Sequence, residues 1–127
     1  MSMELQALIE QLEGIAVRVR ALDQEAARRL HEEKDREQYG VSLLEKSKLL
    51  AALSELIEDE VNALPEKLRR EFDEAITEIA EDAMRAMAIG SVFYMSVLLL
   101  SEDGRPESPN ELEKLIAWLR RSESCLP

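Results

Sequence analysis

The residues best able to do chemistry in this chain are carboxylates. Glu74, Glu78, Glu81 and Asp82 recur at helical spacing, and Glu55, Glu58, Asp59 and Glu60 precede them on the other side of Pro65. Carboxylates on neighbouring helices can hold Mg²⁺, a hard cation that takes oxygen ligands and bridges to phosphate. Doing so requires that they point into a shared cleft. At about 100° per residue, with Leu68, Phe72, Ile76 and Ile79 taken as the inside, Glu74 and Glu81 fall opposite that face. Glu78 falls well round the side, and Asp82 flanks the inside. In the earlier group only Glu60 stands near its apolar stripe. Glu60, Glu78 and Asp82 are the ligands such a site would use, but one or two inward carboxylates are too few to build it. The acidic runs therefore read as a solvated face, and no metal is expected.

Other reactive side chains are isolated. His31 stands among charges without a Cys or second His to share a metal. Cys125 is alone near the end, where no neighbour activates it, so it reads as an unreactive tail thiol. No nucleophile elbow or Gly-rich phosphate loop occurs, so no catalytic residue and no cofactor are expected. Met84, Met87 and Met95 suit core filling better than an adaptable peptide surface. Trp118 falls at least a quarter turn off the Leu112, Leu115 and Leu119 face. It is either a lid over the edge of a bundle or an exposed anchor for a partner.

Composition narrows the class. The chain has 127 residues, a formal charge of −11, 46% apolar and 34% charged residues, and only four Gly and four Pro. That profile favours long helices around one aliphatic core, with residues 1–127 forming a single helical domain. The negative charge repels phosphate backbones and anionic headgroups, so neither nucleic acid nor a membrane is an expected partner. A lone cysteine and an opening without a basic, apolar leader predict a cytoplasmic protein.

The apolar spacing supplies the elements. From Met3 the positions Leu5, Leu8, Leu12, Ile15, Val19, Leu22 and Ala26 alternate steps of three and four, the seam of a coiled coil. This predicts a first helix over about 3–39, stopped by Gly40. Ser42 and Glu45 have the form of a capping box that starts a second helix, which ends near Asn62 because Pro65 cannot continue it. A third helix is expected over about 65–100. Ser108-Pro109-Asn110-Glu111 predicts a fourth, with Ser108 as its cap and Pro109 at its first position. Short connections make this an antiparallel all-α bundle of four helices.

The stretch Ala86–Leu100 carries no charge on any side. It is shorter than the about 20 residues of a membrane span, so it must be covered by protein. Straight helices of about 54, 30 and 54 Å leave the third overhanging by about 24 Å, and leave the first half of helix 1 without neighbours from its own chain. A second chain would cover both. Leu5, Leu8, Leu12 and Ile15 on helix 1, Val92, Met95 and Leu99 on the apolar run, and Trp118 are the expected contacts of a homodimer. A break in helix 1 at Gly14 or near Asp23 would cover the run internally instead.

These features predict a non-catalytic helical module for protein–protein interaction, an adaptor, chaperone or regulatory subunit acting as an oligomer. Its acidic charge and amphipathic helices look like those of small secretion or flagellar-export chaperones. The alternative is a Mg²⁺-dependent all-α nucleotide pyrophosphohydrolase that uses Glu60, Glu78 and Asp82 of helices 2 and 3.

Overall fold

The computed structural model describes residues 3–101, 103–105 and 107–123, and among these there is helix and no strand. Among the described residues seven helices occur where four were expected for the chain: α1 (Met3–His31), α2 (Arg36–Ala51), α3 (Leu53–Leu56), α4 (Glu58–Asn62), α5 (Glu66–Ile89), α6 (Val92–Val97) and α7 (Glu111–Glu123). Each extra boundary has a local cause.

Helix α1 does not run to Gly40. Lys34 takes a left-handed backbone with φ 57°, and the Asp35 N–H closes on the carbonyl of Arg29 at 2.9 Å. Asp35 then caps α2, accepting from the Gln38 N–H at 3.0 Å. Asp35 and Gln38 thus have the spacing of a capping box, and they start the helix seven residues before Ser42. Arg29 reinforces the junction by donating to the Gln38 side chain at 2.9 Å. Gly40 sits inside α2, and Ser42 is buried on its inner face rather than capping anything.

The expected second helix is interrupted at Ala52 and Ile57, but Leu53, Ile57, Val61 and Leu64 still turn inward. Pro65, extended at ψ 144°, ends this segment, and α5 begins one residue later. Helix α5 is then stopped at Gly90, φ 72°. The Ser91 N–H reaches the Ala86 carbonyl at 3.3 Å and the Gly90 N–H the Met87 carbonyl at 3.1 Å, a Schellman closure that needs a left-handed residue. The expected helix over 65–100 is therefore two helices, and the overhang is folded back. Helix α6 packs against α2 and α5.

At α7 the expected capping box is displaced by two residues. Asn110 Oδ1 accepts from the Glu113 N–H at 2.9 Å, and Glu113 returns the bond to the Asn110 N–H at 2.9 Å. Ser108 instead donates to Asp103 at 2.7 Å. Leu112, Ile116 and Leu119 of α7 bury against α1, and Arg120 fixes it there through Glu13 at 2.6 Å.

The core that results is continuous from Leu5 to Leu119, and Leu5, Leu8, Leu12 and Ile15 are buried in it. They are covered by the chain's own helices, because α7 and α4 return along the first half of α1. The reason for assigning these four to a contact between chains is removed. A second, smaller cluster of Ala26, Leu43, Ala86 and Met95 holds α6 at the other end.

Candidate interaction surface

Breaking the apolar run at Gly90 does not hide all of it. Helix α6 buries Met95, and at about 100° per residue Phe93 and Val97 both lie about 160° from it, one turn apart on the outer face. Phe93 is 68% exposed and Ile89, at the end of α5, 61%. Val92, Tyr94, Val97 and Met84 are exposed as well. The Phe93 and Tyr94 rings meet edge to face, with centroids 5.7 Å apart. Between Arg85 and Glu102 no charged residue interrupts this ridge.

The ridge is held by an ion pair whose lysine is buried and whose aspartate is partly exposed. Lys46, fully buried on α2, places Nζ 3.0 Å from Asp23 Oδ1 on α1 and donates to the Ser96 carbonyl of α6 at 3.3 Å. One ammonium therefore links three helices. Burial pushes the Lys46 ammonium down and the Asp23 carboxyl up from their ordinary values, against their mutual attraction. Ser91 caps α6 by accepting from the Tyr94 N–H at 3.1 Å, and the Ser96 hydroxyl donates to the Phe93 carbonyl at 2.6 Å. Such bonding makes α6 a fixed platform although it has only six residues.

Of the residues expected at an interface on this run, Val92 is exposed, while Met95 and Leu99 are buried in the chain. Leu99 lies in the turn after α6, where the Leu100 N–H reaches the Val97 carbonyl at 3.1 Å; its backbone is left-handed, φ 71°, and its carbonyl accepts the Glu111 N–H at 2.9 Å. Phe93 and Val97 occupy the outer positions instead. Trp118 is partly buried against the main core and lines a cleft with Pro65 and Leu68.

The alternative metal ligands are not brought together. Glu60 on α4 accepts from Gln11 of α1 at 2.7 Å, Asp82 pairs with Arg85 at 3.0 Å, and Glu78 is exposed on the outside of α5. Glu55, Glu58 and Asp73 line a cleft between α3, α4 and α5. Among the described residues no group of three His, Cys, Asp or Glu has the geometry to hold a metal ion. His31 is exposed, Cys125 lies outside the described residues, and no described helix is long and apolar enough to cross a membrane.

Lys46 was not singled out by the sequence. Its signal was a gap, since the inner stripe of the second helix steps from Leu43 to Leu50 and leaves one turn to Lys46 and Ser47. Compared with protein-family models, with curated proteins and with solved structures, the chain matches none, so its functional reading rests on its own geometry.

Proposed function

We propose that this protein is a non-catalytic helical interaction module that pairs with a second copy through the outer face of α6. The observation that carries the reading is the ridge of Ile89, Val92, Phe93, Tyr94 and Val97, exposed and uncharged on a chain whose net charge is −11. A contiguous exposed apolar patch on an otherwise polar surface is the ordinary mark of an association site. Phe93 is its natural centre, an aromatic ring on a fixed helix with aliphatic neighbours. Burying each such side chain is worth roughly 1.5–3 kcal/mol, and a two-fold axis through α6 uses each one twice.

Charge makes the proposal testable. Two copies that each carry −11 repel at long range, so pairing depends on the uncharged ridge and strengthens when salt screens the rest. Sedimentation velocity of the full chain from about 0.05 to about 0.5 M NaCl is expected to show a two-chain species that grows with salt. A species that weakens with salt would mean opposite-charge contacts, and a single-chain species throughout would remove self-pairing.

A further inference from the structure

A cleft of ≈ 550 Å³ opens beside the second half of α1. That volume is in the range of small-molecule sites. Arg20, Asp23, Ala27 and Leu30 line it from one stripe of α1 about 15 Å long, polar at its start and apolar at its end. Leu98 and Leu100, in the segment after α6, line it as well, and so does Asn110, the cap of α7. Asn110 belongs to the polar end, because Glu113 accepts both from Arg20 at 2.7 Å and from the Asn110 N–H at 2.9 Å.

The charges at that end are already matched. Asp23 Oδ1 lies 3.0 Å from Lys46 Nζ, and Arg20 attracts the same carboxylate. Arg20 in turn donates to Glu113 and, at 3.0 Å, to the Ser108 carbonyl. Two cations thus stand against two carboxylates, so neither an ammonium nor a carboxylate finds a spare counter-charge there to offset its lost hydration. Glu107, the other acid of the lining, is exposed. What stays buried and unmatched at this end is a hydrogen-bond donor. Asn110 is only 7% exposed, and its Oδ1 is committed to the Glu113 N–H, but its side-chain NH₂ has no acceptor among the described residues. A buried donor without an acceptor costs free energy until one is supplied.

We propose that this cleft binds a neutral aliphatic molecule that carries a carbonyl oxygen, such as a medium-chain ketone, ester or lactone. The carbonyl accepts from Asn110 Nδ2, and the hydrocarbon lies against Ala27, Leu30, Leu98 and Leu100. A carbonyl is an acceptor only, so it answers the unmatched donor without bringing a donor or a charge of its own. The site is separate from the outer face of α6 and does not depend on pairing there.

Calorimetry on the full chain with 2-octanone tests this, with octylamine and octanoate as charged comparisons of the same length. Saturable binding of one ketone per chain is expected, and no saturable binding of either ion. Asn110→Asp keeps a side-chain oxygen for the Glu113 N–H, so α7 stays capped, but it removes the NH₂. It is expected to weaken ketone binding about tenfold, the loss of one hydrogen bond. Ala27→Trp serves as the second variant, filling the cleft from an exposed helix position with helicity unchanged, and is expected to abolish binding. Octylamine or octanoate binding as tightly as the ketone, ketone binding unchanged in either variant, or no binding of the ketone at millimolar concentration would each overturn the assignment.

Discussion

Lys46 Nζ and Asp23 Oδ1 lie 3.0 Å apart between α2 and α1, with the lysine wholly inside the protein and the aspartate at its edge. Burial opposes both charges. The Asp23 carboxyl is raised, so its stabilising contribution is present below the unfolded value and lost as pH rises through the folded one. The Lys46 ammonium is lowered, so its contribution is present above the unfolded value and lost as pH falls through the folded one. Near neutral pH both charges are carried at a cost. Asp23→Ala, which leaves a buried ammonium alone, is expected to destabilise by about 3 kcal/mol, at the low end for such losses because Asp23 is partly solvated. The pair Asp23→Leu with Lys46→Met is expected to match or exceed the parent in urea denaturation. A double variant as unstable as the single one would show that the pair stabilises the fold outright.

The two helix starts near residue 40 separate by mutation. Asp35→Ala removes the partner of the Gln38 N–H and is expected to cost about 1 kcal/mol. Ser42→Ala replaces a buried hydroxyl inside a helix by the best helix former, and is expected to be neutral or to gain up to about 0.5 kcal/mol. Denaturation midpoints that fall for Ser42→Ala and hold for Asp35→Ala would place the start of α2 at Ser42 after all.

Much of the architecture was legible because it is written in periodicity. The seam from Leu5 to Ala26 and the inner face of α7 follow from apolar spacing, the stop at Pro65 follows from the N–H that proline lacks, and each is found. The breaks were harder to read. Asp35 with Gln38 and Ser42 with Glu45 have the same capping form, and the left-handed turn at Lys34, closed by the Asp35 N–H on the Arg29 carbonyl, decides between them. Gly90 fits a continuous helical stripe as well as a stop, and the lengths deduced from a continuous helix produced an overhang that a Schellman turn abolishes. The apolar run did point to the exposed ridge. Val92 is exposed as expected, while Phe93 and Val97 stand outside in place of Met95 and Leu99, because α6 restarts with its own phase after Ser91.

Backbone handedness at the two junctions gives opposite outcomes. Lys34 is exposed and left-handed, so Lys34→Gly is expected to stabilise by up to about 1 kcal/mol. Gly90 has open space around an added Cβ, so Gly90→Ala is charged only for its φ of 72°, about 1–2 kcal/mol. Thermal midpoints moving up for the first and down for the second would check both junctions together, and a neutral Gly90→Ala would mean that α5 continues through residue 90.

The outer face of α6 carries the functional proposal, and the mass of the chain in solution tests it most directly. Phe93→Lys with Val97→Lys puts two charges at positions that are exposed within one chain, so the variant should fold with unchanged helicity. Light scattering at about 0.1 mM, where a micromolar complex would be saturated, is expected to give twice the chain mass for the parent and the chain mass for the double variant. A parent already at the chain mass, or a folded double variant still at twice it, would contradict pairing through α6.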